Sequence, residues 1–246
     1  MITACIDEIF SSVQGEGPRI GERHIFVRFQ GCDIRCRYCD TPAATQAAGV
    51  ACRAQNSTIT FDYEQVPNPV STDVLVSLCR RLAIPGVARP LLSLTGGEPL
   101  LQQRFLAAWL PRMRPAFRIY LETNGIQFMA LRELADLVDV VSMDIKLPSA
   151  TGLRPFWDEH QRFLAAAQGK ECFAKAVVTN DTLQIDIVKA ATVVADVDPT
   201  VPLIIQPASG VYAPEPARLL AFQEAAMKVL AEVRVIPQVH KMLQVP

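Results

Sequence analysis

The 246-residue sequence has no apolar run approaching the roughly 18 residues that a membrane-spanning helix needs. Its first residues, Met1-Ile2-Thr3-Ala4-Cys5-Ile6-Asp7-Glu8, carry neither the basic stretch nor the apolar stretch of a secretory signal. The expectation is a soluble, cytoplasmic protein without a membrane partner. Nor is there a block of Lys or Arg: 24 basic residues face 25 acidic ones, so nothing tracks a phosphate backbone and nucleic acid is not the expected partner. No internal repeat, heptad pattern or linker is present. The three histidines, His24, His160 and His240, are isolated, and no second Cys/His pair exists to complete a four-ligand zinc site. Seven cysteines is an odd count, which disfavours a disulfide framework.

What is present is a large apolar fraction, 50% of all residues, enough for a sizeable core. From Leu91 onward short β-rich runs alternate with longer helical periods, the pattern of βα units around a parallel sheet. Strands are predicted at Leu91–Thr95, Arg118–Glu122, Val138–Met143, Cys172–Val178 and Leu203–Gln206. Two more are expected earlier, at Ile6–Phe10 and Ile25–Phe29, and a closing one at Arg234–Pro237. Apolar residues at three-to-four spacing predict helices over Leu101–Leu110, Met129–Val138, Pro155–Ala167, Thr182–Ala195 and Glu215–Glu232. A further helix over Thr72–Leu82 is capped by Ser71 or Thr72. A single domain over 1–246 is expected. The stretch Ala43–Val70 breaks the alternation and reads as an irregular insertion, a lid or a mobile excursion, with one short strand at Ser57–Phe61. Cys5, Cys52, Cys79 and Cys172 stand alone and read as small buried apolar residues.

The other three cysteines are crowded into Gly31-Cys32-Asp33-Ile34-Arg35-Cys36-Arg37-Tyr38-Cys39-Asp40-Thr41, a loop after a strand. A [4Fe–4S] cube is generally tied by thiolates, so three cysteines leave one iron with an exchangeable site. A second stretch, Ser93-Leu94-Thr95-Gly96-Gly97-Glu98-Pro99-Leu100, lies where a strand gives way to a helix. Its paired glycines permit close backbone approach, and Glu98 can accept hydrogen bonds from an ammonium group. Three more strand ends, Glu122-Thr123-Asn124-Gly125, Asp144-Ile145-Lys146 and Gln206-Pro207-Ala208-Ser209, are where ligands of parallel α/β barrels collect.

The CxxxCxxC spacing of Cys32, Cys36 and Cys39 resembles the signature of the radical S-adenosylmethionine (SAM) superfamily, and Gly96-Gly97-Glu98-Pro99 resembles its GGEP motif. The resemblance implies an α/β fold: a partial, modified TIM-like barrel of about six parallel strands, open on one side. It further implies that the SAM amino and carboxylate groups chelate the open iron. The amino group would be held by Gly96, Gly97 and Glu98, and adenine would meet Tyr38. Further SAM contacts are expected from Glu122, Asn124, Asp144, Lys146, Gln206, Pro207, Ala208 and Ser209. The reduced cluster would then cleave SAM to a 5′-deoxyadenosyl radical.

Within that superfamily, Phe10-Ser11-Ser12-Val13-Gln14-Gly15-Glu16-Gly17, Arg28 and Arg234-Val235-Ile236-Pro237-Gln238-Val239-His240-Lys241 resemble 7-carboxy-7-deazaguanine synthases. The agreement runs through the whole chain. It implies ring contraction of 6-carboxy-5,6,7,8-tetrahydropterin with loss of ammonia, a carbon–nitrogen lyase reaction of queuosine and deazapurine biosynthesis in which SAM is regenerated. Gln14 and Glu16, with backbone at Val13 and Gly15, suit the paired hydrogen bonds of a pterin edge. Arg28 suits a bidentate bond to the C6 carboxylate, and Thr95 and His240 are further contacts. The sequence stops at Pro246, and the resemblance implies a terminal carboxylate that reaches the substrate. It also implies Mg²⁺ at Thr41, a homodimer, and flavodoxin or ferredoxin as electron donor. The insertion after the cysteines is outside the resemblance; shielding the cluster and recruiting the donor are two readings of it. A glycyl-radical activating enzyme uses the same cluster on a partner protein, but the Gln14, Glu16, Arg28 and His240 set favours a small anionic heterocycle. A non-catalytic metal scaffold is the remaining alternative.

Overall fold

A computed structural model of the chain describes residues 2–45 and 49–246. Twelve strands occur among these residues: β1 (Thr3–Ala4), β2 (Ile6–Val13), β3 (Arg23–Phe29), β4 (Ala51–Gln55), β5 (Tyr63–Pro67), β6 (Val70–Ser71), β7 (Leu91–Gly96), β8 (Arg118–Thr123), β9 (Val140–Asp144), β10 (Glu171–Val178), β11 (Leu203–Pro207) and β12 (Val233–Val235). The helices are α1 (Pro42–Thr45), α2 (Thr72–Arg81), α3 (Gln103–Met113), α4 (Phe128–Leu134), α5 (Pro148–Thr151), α6 (Trp157–Ala167), α7 (Gln184–Val197), α8 (Pro216–Met227) and α9 (Val239–Leu243). None is long and apolar enough to cross a membrane.

Ten strands form one sheet in the order β12-β11-β10-β9-β8-β7-β3-β2-β4-β5, and β1 pairs separately with β6. From β3 to β12 every neighbouring pair is parallel. The sheet does not close, because β12 and β5 end the order without pairing to each other. The expected fold, a mostly parallel open barrel of α/β class, is therefore observed.

Side chains alternate faces along these strands, as a period of two requires. Leu92 and Leu94, Ile119 and Leu121, Val141 and Met143, Ala174 and Ala176, and Leu203 and Ile205 join the main core beneath the helices. The opposite face carries a smaller apolar cluster of Leu91, Tyr120, Val140, Phe173 and Ile204, the floor of the barrel. The α2 helix starts as expected, with Ser71 accepting from the Val74 N–H.

The stretch expected to be irregular is mostly ordered. β4 and β5 form an antiparallel hairpin that joins the sheet through parallel pairing of β4 with β2. The strand expected at Ser57–Phe61 is instead in the loop between them. Buried Gln55 explains the docking: its Oε1 accepts from the Ser11 N–H at 2.6 Å and its Nε2 donates to the Thr60 carbonyl at 2.5 Å. Residues 46–48 of the expected insertion lie outside the described residues. Cys52 and Cys79 are buried as expected, whereas Cys5 and Cys172 are only partly so.

Candidate functional site

Beyond the apolar floor, the helix-free face turns polar toward the carboxyl ends of the strands. Two or four residues after each floor residue come Thr95, Glu122, Ser142 and Asp144, Lys175 and Val177, and Gln206 and Ala208. These line one cavity, and the cysteine loop, the Gln14–Glu16 turn and the C-terminal helix α9 complete its wall. Placing polar rows at the strand ends leaves the apolar rows to stabilise the barrel below.

The cysteine loop is latched to the end of β7 by backbone. Gly97 N donates to the Phe29 carbonyl at 2.9 Å, and Glu98 N to the Gly31 carbonyl at 2.8 Å. A Cβ on Gly97 would lie 2.0 Å from the Gly31 oxygen, and one on Gly96, whose φ is +116°, 2.3 Å from the Phe29 oxygen. The glycines are thus needed for the approach of backbone to backbone as well as for facing the cavity. Arg35 ties the loop further, donating to the carbonyls of Cys32 (2.7 Å), Ile34 (2.9 Å) and Thr45 (2.7 Å). Asn124 and Gln127 hold the Asp33 carboxylate at 2.8 and 2.7 Å.

Cys32, Cys36 and Cys39 are half-buried, free, and all on the cavity wall. Burial raises the pKa of Cys32 and Cys36, so cluster-free protein holds them as thiols and iron uptake must release protons. Among the described residues no three His, Cys, Asp or Glu side chains gather closely enough to hold one ion. A cubane differs from a lone zinc ion in taking each thiolate on a separate iron, so three thiols spread along a loop fit it better. The cavity also has unmet groups: Gln206 Oε1 and the Tyr38 hydroxyl are buried without a hydrogen-bond partner, and Asp144 Oδ1 is met only by the Lys175 ammonium at 3.2 Å. Such atoms are costly unless a ligand supplies donors. A nucleoside with free hydroxyls would do so, and the residues present fit the cluster and SAM.

The wall is rich in buried charge. Lys175 Nζ pairs with Glu16 Oε2 and lies 3.2 Å from Asp144 Oδ1, while Lys146 Nζ lies 2.5 Å from Asp144 Oδ2. Burial alone would raise the pKa of Glu16, but Lys175 outweighs it and holds the carboxyl below its ordinary value. Asp144 is held down in the same way by Lys146 and Lys175. Both lysines are kept above the usual ammonium range despite burial, chiefly by Asp144. Glu122 goes the other way, raised by burial and by the charge of Glu16. Removing one member of such a buried pair typically costs about 3–5 kcal/mol.

Every residue expected at the site lines this cavity except Glu98 and Pro207. Glu98 is fully buried, and its carboxylate is taken by the N–H groups of Leu100 (3.0 Å) and Asn124 (2.7 Å) and by the Thr123 hydroxyl (3.0 Å). It ties the end of β7 to the end of β8, and burial pushes its pKa up to about 7. Pro207 sits one position out of phase with Gln206 and Ala208, so alternation turns it away. Several other residues are present with their groups already engaged. Gln14 donates to Glu122 at 2.9 Å and accepts from Glu16 N at 3.0 Å. Thr95 donates to Glu122 at 2.6 Å. Arg28 stands 3.5 Å from Glu8, and its guanidinium lies 5.5 Å from the centre of the Phe10 ring. His240 packs on Gly15, where a Cβ would come within 2.1 Å of Nδ1. Thr41 Oγ1 is 4.0 Å from Cys39 Sγ.

Lys175, Asp40, Gln238 and Lys241 also line the cavity and were not anticipated. Gln238 joins distant segments: its Nε2 donates to Glu16 (2.7 Å) and Asp40 (2.8 Å), and its Oε1 accepts from Ser209 (2.9 Å) and Lys241 (2.6 Å). Asp40 is thereby held at a pKa of about 2, against the upward pull of burial. A signal for Lys175 did exist, since it lies two residues after Phe173 in a strand otherwise apolar from Cys172 on.

Residues 26–172 match the family model described as the radical SAM superfamily. The chain is 42% identical to a 7-carboxy-7-deazaguanine synthase of Geobacter sulfurreducens, over 97% of this chain and 96% of that one. It is 34% identical to one from Thermococcus kodakarensis, over 97% of each. Among solved structures, QueE from Escherichia coli superposes with a TM-score of 0.62 at 20% identity, covering 96% of this chain and 94% of that one, a likeness of fold.

Proposed function

The chain belongs to the 7-carboxy-7-deazaguanine synthase family of the radical SAM superfamily, and we propose that its cavity binds 6-carboxy-5,6,7,8-tetrahydropterin for conversion to 7-carboxy-7-deazaguanine. The reaction contracts the ring with loss of ammonia and makes the protein a carbon–nitrogen lyase of deazapurine biosynthesis. One observation carries the reading: three thiols and a set of paired carboxylates and amides, drawn from both ends of the chain, face a single cavity.

Cys32, Cys36 and Cys39 would hold the [4Fe–4S] cluster, with Gly96, Gly97, Tyr38, Asp144, Lys146 and Gln206 around SAM. Cluster and SAM together supply, when bound, the radical that removes hydrogen from C6 of the pterin. The protein's own work is placement. Glu16, kept ionised by Lys175, accepts the N–H groups of the pterin edge. Gln14 fixes both the Glu16 backbone and the Glu122 carboxylate. Arg28 is only loosely paired with Glu8 and has donors to offer the substrate carboxylate. Thr41 offers a hard oxygen for Mg²⁺ shared with substrate oxygens. A flavodoxin or ferredoxin supplies the electron, and the protein acts as a cytoplasmic homodimer.

The test is an anaerobic assay of cluster-loaded protein with the pterin, SAM, Mg²⁺ and reductant, reading product mass. Product is expected, with a rate that falls when Mg²⁺ is chelated. Arg28→Ala should raise KM for the pterin by the worth of a charge-assisted bond, about 1.5–3 kcal/mol or roughly 10- to 150-fold. An intact, reducible cluster that yields no product would sink the assignment.

A further inference from the structure

We propose that Lys175 couples the two halves of the cavity, its single ammonium bridging Glu16 on the pterin side and Asp144 on the SAM side so that each ligand tightens the binding of the other. The inference rests on the assignment of those two halves made above.

The bridge is visible in the contacts. Lys175 lies on β10 in the inward row between Phe173 of the apolar floor and Val177 of the cavity wall. Its Nζ pairs with Glu16 Oε2, and among the described residues no other basic side chain forms an ion pair with Glu16. The same Nζ is 3.2 Å from Asp144 Oδ1, yet that oxygen has no well-aligned hydrogen-bond donor. Asp144 is also the partner of Lys146, whose Nζ lies 6.0 Å from the centre of the Tyr38 ring. One continuous chain of charge, Glu16 to Lys175 to Asp144 to Lys146, therefore crosses from the substrate rim to the cysteine loop.

The ammonium is divided between two carboxylates, and in a water-poor cavity that division is sensitive to what else each carboxylate meets. A ligand whose N–H groups bind Glu16 satisfies part of that charge and leaves Lys175 freer to turn toward Asp144. Asp144 is then fixed, ionised and ready to accept hydroxyl groups on the SAM side. A ligand that engages Asp144 acts in the reverse direction through the same group, as linkage requires. Lys175 touches neither reacting atom in this scheme and is a positioning residue.

The experiment measures binding alone. Cluster-loaded protein, anaerobic and without reductant so that no turnover occurs, is titrated with SAM by calorimetry in the absence and presence of saturating 6-carboxytetrahydropterin. Wild type should bind SAM more tightly with the pterin present, by about tenfold, within the usual range of such couplings. In Lys175→Met the ratio should fall toward one, and Lys175→Arg, which restores the charge, should recover part of it. Should Lys175→Met not fold, Glu16→Gln breaks the same bridge while leaving Lys175 paired with Asp144, and it too should lower the ratio. A ratio undiminished in these variants, or no coupling in wild type, overturns the proposal and leaves the enzyme assignment intact. Failure of the pterin to bind wild type at all overturns both.

Discussion

His160 shows how much a single side chain can hold at a strand end. Its Nε2 faces the Lys146 N–H at 2.9 Å and so must accept, which places the ring proton on Nδ1, donated to the Gly125 carbonyl at 3.0 Å. The neutral ring thus staples the end of β9 to the turn after β8, directly behind the Asp144–Lys146 side of the cavity. Burial lowers its pKa from 6.5 to about 4, helped by the nearby Lys146 charge. Between those values the unfolded chain binds a proton that the folded one does not, so stability rises with pH there and is lost as pH falls from 6.5 toward 4. The full effect is on the order of 3 kcal/mol. His24, also lowered to about 4, chiefly by burial, adds to the acid sensitivity in the same window. In chemical denaturation of cluster-free protein, wild type should lose stability between pH 7 and pH 5 more steeply than His160→Gln. Parallel profiles would contradict this account. From the sequence His160 reads only as an isolated histidine, because both of its partners are backbone groups on other elements.

At the scale of elements, the two motif segments are parts of one construction. The loop bearing the cysteines leaves β3 and is held at its base by backbone bonds to the end of β7, at a separation that only glycine allows. Gly97→Ala would force the Gly31 carbonyl away and move the loop with it. The expected result is a protein with native far-UV circular dichroism that takes up much less iron during anaerobic reconstitution. Full iron loading in that variant would show that the loop adapts. The hairpin β4–β5 carries the opposite lesson about legibility. Its strands are short and show no regular in–out alternation, and what makes them strands is the pairing of β4 with β2 and of β5 with β4, together with the reach of Gln55 across 44 residues to Ser11. No local pattern encodes that, so the segment reads as irregular.

Across the whole molecule, both ends of the chain meet at the cavity mouth. Gln238 binds the Glu16 turn, the Asp40 end of the cysteine loop and Ser209, and Val239 N donates to the Gly15 carbonyl at 2.8 Å. This seats α9 and brings His240 against Gly15. Gln238→Ala should loosen the C-terminal helix and with it the rim of the cavity proposed to hold the pterin. Loss of a hydrogen bond to a carboxylate, worth about 1.5 kcal/mol, predicts a KM for the pterin about tenfold higher with kcat little changed. Hydrogen exchange should quicken in Val239–Leu243 while the strands stay protected; an unchanged KM would mean that α9 is not part of the substrate site.

The sequence by itself determined the chemistry that depends on residues close together in the chain: three thiols at fixed spacing, a Gly-Gly turn after a strand, and alternation of strand and helix that commits the fold to a parallel sheet. Cluster ligation and βα packing impose spacing rules over a few residues, so these features can be read locally. Only the tertiary structure decided which charges share the interior. Glu16, Asp144, Lys175 and Gln238 come from four separate segments; the motifs point to Glu16 and Asp144 one at a time, but only the folded sheet sets Lys175 between them and Gln238 against Glu16. It was also tertiary packing that took Glu98 off the cavity wall, since the N–H groups of Leu100 and Asn124 and the Thr123 hydroxyl converge on its carboxylate only when the ends of β7 and β8 lie side by side.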